Sequence, residues 1–562
     1  MAAPPGDRTL SPDPDDRQGA GSDPAQPKRV LPMQTRIHDL LTAIRRHPRW
    51  LAIAVIVPLV VVNLVVRGEG PATLAGPADE ATVDAWLDAQ IRDAGIPGAA
   101  LVVVRDGRIV HERGFGIADD HGRPIEATTP FVIGSLSKSI TALATMQLVD
   151  TGRVDLDTPV ERYLPEFTTA DPATAASITV RELLTHTSGL SPAVGVTSVA
   201  TPAADLDDQV RRLATTALVA PPGTAYAYSN ANYLVLGRLI EAVSGQTFGA
   251  YVQTHVFEPL EMRHAATDRP TAMANGLTDA HRLWFGLAEA RTPADRPDLV
   301  PAGWISASAD DLGRFLVAEL EGGRSGGTSV LSSAAIATMQ TATVPTGLGD
   351  ERAAMGWYAT TLNGEPILAH AGSTTEMAAM QILVPGRHLG VAVLFNAQST
   401  MYELLHKPDA IGLGVVSLLT GREPAGTLQS FYPAFDVVVL GLCLLLVRGL
   451  VRLVRSGSAS PIAWSARSRL GRVRFVGGQT FRLYLDVFVP LVLLLKTPDA
   501  LGASWPALVR VDLGLVVLVL VGLRLADGVI RLGRYGLGRR RRPGSSVAGA
   551  LSARGLGATA ER

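Results

Sequence analysis

The chain has 562 residues, a net charge of −1 and one cysteine, Cys443. That length admits more than one domain, and a lone cysteine rules out an intramolecular disulfide framework. The charge is unevenly spread. Residues 1–67 balance to +3, 68–430 to −17 and 431–562 to +13, a pattern that argues against nucleic-acid binding and for a soluble domain held between basic membrane-facing ends. The eleven histidines show no metal-ligand spacing, so neither a metal nor another cofactor is expected.

In chain order, residues 1–49 read as a disordered cytoplasmic tail rich in Pro, Asp and Gly. Residues 50–67 form an apolar run behind Arg36, Arg45, Arg46 and Arg49, which reads as an uncleaved transmembrane anchor. The rival is a cleaved signal peptide, for which the charged lead-in is long. A Gly/Pro/Ala linker follows over 68–80.

Ala81–Ala94 has helical spacing and stops at Gly95–Gly98. Ala99–Val104 and Arg108–Gly114 flank Asp106-Gly107, a two-residue hairpin signal. A long, mostly helical middle contains Ser308-Ala-Asp-Asp311, a capping box opening a helix through Leu320. Strand patterns return at Gly356–Thr361, Pro366–His370, Ala378–Val384 and Gly390–Phe395. Strands at both ends of one region, with helices between, imply a sheet built from distant segments.

After a linker at 421–430 come three apolar stretches, near 431–451, 475–495 and 505–526. The arginine-rich loop 452–474 and the basic tail 527–562 belong on the cytoplasmic side by the positive-inside rule. Four spans then close consistently, with both termini cytoplasmic and residues 80–420 outside. Asp436, Arg482, Asp486, Arg510 and Asp512 fall within or near the spans, where mutual pairing is the simplest reading.

Three stretches carry chemistry. In Gly134-Ser135-Leu-Ser-Lys138, read as the start of a helix, Ser135 and Lys138 share one face. A serine hydroxyl needs a base, and a desolvated lysine one turn away can serve. Only four of the 51 basic residues are lysine, and arginine cannot be deprotonated, so a lysine kept here fits a base. Tyr228-Ser-Asn230 lies in a loop before an apolar helix, and His370-Ala-Gly372-Ser373 lies on a late strand, with Gly372 permitting close backbone approach.

In this order, Ser-x-x-Lys, Tyr-x-Asn and His-x-Gly resemble the signatures of the serine β-lactamase and penicillin-binding protein superfamily, in its branch of class C-related peptidases and esterases. Leu183-Leu-Thr-His186-Thr-Ser-Gly-Leu190 and Gly303-Trp-Ile-Ser-Ala-Ser308 resemble it too. The resemblance implies an α/β (α+β) fold, an antiparallel sheet flanked by helices plus a helical subdomain.

It also implies roles: Ser135 as nucleophile, Lys138 as base and Tyr228 as proton shuttle. Asn230 and His370 would serve substrate geometry, His186 and Thr187 would back the site, and the N–H groups of Ser135 and Ser373 would form the oxyanion hole. Histidine at 370, where many relatives have lysine, weakens an expectation of β-lactam recognition. The three C-terminal spans resemble those of prodrug-activating peptidases that remove an acyl-D-amino-acid cap. The expected partners are therefore a small-molecule or peptide substrate, possibly acylated, and a lipid bilayer; the sequence leaves the oligomeric state open. An esterase, a β-lactamase and a penicillin sensor without turnover are the alternatives.

Overall fold

A computed structural model of the chain describes residues 76–284, 287–399 and 407–424, together with residue 522. The expected tail 1–49, the spans at 50–67, 431–451, 475–495 and 505–526 (apart from that single position), their internal charges and the tail 527–562 lie outside the described residues. Among the described residues no helix is long and apolar enough to cross a membrane.

The first helix of the described residues is α1 (Glu80–Asp93), whose N-cap Asp79 accepts from the Thr82 N–H. Strands β1 (Gly98–Arg105) and β2 (Arg108–Gly116) form the expected hairpin. Asp106 and Gly107 both have positive φ, 50° and 74°, which is the two-residue turn that an Asp-Gly pair favours. Helix α2 (Ser137–Asp150) and helix α3 (Asn230–Ser244) build the helical region. Strands β3 (Ala280–Trp284) and β4 (Leu287–Arg291) come next. Helix α4 (Ala309–Leu320) starts at the expected capping box: the Asp311 N–H donates to Ser308 Oγ, and the Ser308 N–H donates to Asp311 Oδ2.

Toward the C-terminal side lie β5 (Val344–Pro345), β6 (Arg352–Ala353), β7 (Tyr358–Leu362), β8 (Glu365–Ser373), β9 (Ala378–Val384), β10 (Leu389–Phe395), β11 (Ala397–Gln398) and helix α5 (Lys407–Leu419). One eight-stranded sheet runs β2-β1-β10-β9-β8-β7-β6-β5, antiparallel at every pair. The N-terminal hairpin thus pairs with the last long strand, as strands at both ends of the region imply.

Period-two alternation divides β1 between two cores. Leu101 and Val103 join Val83, Leu87 and Ile91 of α1 and Val415 of α5 on one face. Ala100, Val102 and Val104 join Ile140 and Leu143 of α2 and Leu312 and Phe315 of α4 on the other. Because both faces are covered, β1, β9 and β10 read as near-unbroken apolar runs, whereas the edge strand β2 alternates with solvent.

Two local expectations change. Strand β8 continues past His370 to Ser373, because Gly372 and Ser373 still pair with Ala379 and Ala378. Ser135 lies in a 3₁₀ turn, Gly134–Leu136, ahead of α2, and Asn230 is the first residue of α3. A further three-stranded sheet, β11-β3-β4, was not legible in the sequence.

Candidate active site

The Ser135 turn is wedged between the helical region and the main sheet. Residues Phe131–Val132 pair with Ser306–Ala307, and the Ile133 N–H donates to Ile305 O at 3.0 Å. Ser137 Oγ donates to Gly134 O and accepts from the Ile305 N–H, which closes the turn. Gly134 has φ +57°, and a Cβ there would lie 2.4 Å from the Ser373 nitrogen. A Cβ on Gly372 would lie 2.1 Å from Ile133 O. Two glycines therefore let the end of β8 lie directly on the turn carrying Ser135. The Ser373 backbone nitrogen thus borders Gly134, the residue just before the nucleophile candidate.

Lys138 is fully buried, while Ser135 remains partly accessible. Its Nζ lies 2.5 Å from Ala302 O, 2.8 Å from Asn230 Oδ1 and 3.0 Å from Ser135 Oγ. Burial holds the Lys138 pKa well below the ordinary lysine value. A neutral amine has two N–H donors and one lone pair. Ala302 O and Asn230 Oδ1 can only accept, so they take both hydrogens and the lone pair is left facing the Ser135 hydroxyl. This is the arrangement of a general base.

Tyr228 Oη lies 2.8 Å from Ser135 Oγ. Lys138 Nζ also sits over the Tyr228 ring at 5.1 Å. The ring is held by His186, whose imidazole stacks on it at 4.6 Å between centroids. His186 Nδ1 accepts from Asn232 Nδ2 at 2.9 Å and from the Ser229 N–H at 3.3 Å. Ser188 Oγ donates to Asn232 Oδ1 at 2.6 Å, which fixes the Asn232 amide with its nitrogen toward the ring. The imidazole is therefore neutral, with its proton on Nε2, and its burial pushes its pKa well down. His186 does more than back a loop: it orients Tyr228. The sequence assigns no role to Asn232, nor to Ser188, although Ser188 lies within the family-like stretch Leu183–Leu190.

His370 is 4 % exposed, and burial followed by the nearby Lys138 lowers its pKa to about 3. Its Nδ1 lies 2.7 Å from Ala371 O, and its ring packs on Tyr358 at 5.1 Å. Tyr358 Oη in turn lies 2.8 Å from Tyr226 Oη, and burial holds the Tyr226 pKa up at about 12. The wall beside the reactive trio is thus uncharged and aromatic near neutral pH. His264, Asp310 and Asp311 are the metal-type grouping among the described residues. The Asp311 carboxylate already accepts from Ser308 and from the His264 N–H.

The Beta-lactamase family matches residues 83–414. The chain belongs to that family. Penicillin-binding protein 4 of Amycolatopsis lactamdurans is 32% identical over 339 residues, 57% of this chain and 86% of the relative. Esterase EstB of Burkholderia gladioli is 34% identical over 273 residues, covering 42% and 69%. Among solved structures, the octameric penicillin-binding protein homologue from Pyrococcus abyssi overlays with a TM-score of 0.55 at 24% identity. That overlay covers 64% of this chain and 81% of that one, and it carries the fold alone. SurE overlays with a TM-score of 0.51 at 26% identity, covering 61% and 76%. This Beta-lactamase family member has its Ser135, Lys138, Tyr228 and Asn230 side chains within one hydrogen-bonded cluster, with His370, Gly372 and Ser373 on the adjoining strand.

Proposed function

We propose that the protein is a membrane-bound serine hydrolase working through an acyl-enzyme, a peptidase or amidase on substrates containing a D-amino acid. The observation that carries the hydrolase reading is Ser135 Oγ set between a buried lysine amine at 3.0 Å and a tyrosine hydroxyl at 2.8 Å. Ser135 attacks the acyl carbon and its proton passes to Lys138. The oxyanion is taken by the N–H groups of Ser135 and Ser373. Tyr228 delivers a proton to the leaving nitrogen, the C–N bond breaks, and Tyr228 then accepts a proton from the attacking water. Microscopically the second half returns the acyl group to water and the proton to Ser135.

The preference for an amide of a D-amino acid rests on the similarity to a penicillin-binding protein and on the apolar C-terminal stretches, through which an acylated substrate in the bilayer could meet the site. An esterase is the second reading, favoured by the 34% identity to Esterase EstB and by a neutral His370, which offers no cation to a substrate carboxylate. Membranes carrying the wild type or Ser135→Ala, given a long-chain acyl-D-Asn amide, a D-Ala-D-Ala peptide, a short-chain ester and a cephalosporin, separate these readings by mass spectrometry. Ser135-dependent release of the acyl-D-amino acid or of D-Ala supports the peptidase; cleavage of the ester alone moves the protein to esterase chemistry. Identical behaviour of wild type and variant on all four would refute both.

A further inference from the structure

The turn after β8 is tied down from an unexpected direction. Strand β11 pairs in parallel with β3, matching Ala397 to His281 and Gln398 to Arg282. Gln398 is 2 % exposed, and its Nε2 donates to Ser373 Oγ at 3.1 Å. The amide orientation is set by its other end, because Gln398 Oε1 accepts from the Ser399 N–H at 3.0 Å. Ser373 Oγ donates to Thr374 O at 3.2 Å.

The far end of the same turn is held by β3. Arg282 Nη2 lies 2.5 Å from Glu376 Oε1, both side chains being largely buried. The His281 N–H donates to Asn396 O at 2.8 Å and reaches Glu376 O at 3.3 Å. Within the turn, Thr374 Oγ1 accepts from the N–H groups of Met377 and Glu376, and the Thr374 N–H donates to Met377 O. The small sheet thus grips residues 373 and 376 separately, and between them lies the segment whose first N–H borders the Ser135 turn.

We propose that Gln398 is a positioning residue for the Ser373 oxyanion donor, with the Arg282–Glu376 pair bracing the opposite end of the turn. The inference rests on the serine-hydrolase reading of the site. An oxyanion hole stabilises developing charge only if its donor is held before reaction, at about 2.7–3.1 Å from where the oxygen will arrive. Ser373 gives its N–H no fixation through its own side chain unless that side chain is anchored. Gln398 is the buried donor that anchors it.

The test uses the full chain in membranes and a fluorophosphonate probe. Attack by Ser135 Oγ forms a P–O bond, the P–F bond breaks with fluoride taking the electron pair, and the serine proton goes to Lys138. The phosphonyl oxygen occupies the oxyanion hole, so the labelling rate reads its geometry, while the label on the Ser135 peptide reports the nucleophile. Gln398→Ala should slow labelling about ten- to a hundredfold, below the full effect of losing one oxyanion donor. On any substrate turned over, it should lower kcat with KM within about twofold. Ser373→Ala removes the same contact from the other side, so adding Gln398→Ala to it should cost at most about twofold more.

A labelled wild type whose rate is unchanged in Gln398→Ala overturns this inference alone, as would multiplicative effects in the double variant or a rise in KM at constant kcat. A wild type that takes no label at Ser135 overturns the serine reading, and the inference with it.

Discussion

Replacing Lys138 by methionine removes the amine but keeps an unbranched apolar stem in a site with no solvent exposure. In the unfolded chain this lysine titrates near pH ~10.4. In the fold, burial drives its pKa well below that value. Between the two values the unfolded chain binds one proton more than the folded chain, so wild-type stability rises with pH by about 1.4 kcal/mol per unit. Above the unfolded value, and below the folded one, the slope vanishes. The methionine variant has no such slope. Between the folded and unfolded values the stability difference should therefore move in the wild type's favour by about 1.4 kcal/mol for each unit that the pH rises. The variant also leaves Asn230 Oδ1 and Ala302 O without their amine donor, at roughly 1–3 kcal/mol each. That offset shifts the whole curve and leaves its slope alone. Urea unfolding at several pH values reads the slope directly, and hydrolysis by the variant should fall about a hundred- to ten-thousandfold. A stability difference that stays flat as the pH rises toward the unfolded value would mean that Lys138 is not titrating as a buried neutral amine, and the base assignment would fail.

Glu319 should show the opposite slope. It is fully buried, its Oε2 accepts from Gln340 Nε2 at 2.8 Å, and burial holds its pKa up at about 8. The folded chain keeps a proton that the unfolded chain loses near ~4.3, so wild-type stability relative to Glu319→Gln should fall between pH 5 and pH 7 by about 2–3 kcal/mol; equal pH profiles in urea unfolding would refute a protonated Glu319. Tyr228→Phe keeps the ring on His186 but removes the hydroxyl at 2.8 Å from Ser135 Oγ, so kcat should drop at least about a hundredfold while the thermal midpoint barely moves. Gly372→Ala places a methyl 2.1 Å from Ile133 O and 2.8 Å from Leu136 Cδ1. It should destabilise the fold by about 1–3 kcal/mol and depress activity more than stability, measured as specific activity of the folded fraction.

Residues close in sequence were the legible part of this site. The Ser135–Lys138 spacing, the Asp106-Gly107 turn and the Ser308 capping box are each set by local backbone geometry, so a few residues suffice to read them. The central strands β9 and β10 were equally plain, because burial on both faces demands unbroken apolar runs. The Tyr-x-Asn and His-x-Gly stretches gained meaning only through the family resemblance. The sequence places the helix start at Ser135, two residues too early: Gly134, at positive φ, opens a 3₁₀ turn against which β8 packs.

What stayed hidden depends on contacts made across the fold. His186 orients Tyr228 through stacking, and its own setting comes from Asn232, 46 residues away. Gln398 meets Ser373 through a strand of two residues, too short to show any periodicity. A polar residue in such a place looks like any other loop residue until the sheet that buries it is known.

The central claim is that Ser135 carries the acyl group. A short reaction with an activated ester, quenched in acid and followed by peptide mass spectrometry, tests it most directly. The account predicts an acyl increment on the peptide containing Ser135, formed quickly in the wild type and lost in Lys138→Met. Turnover with the increment on another residue, or with none at any time point, would contradict it.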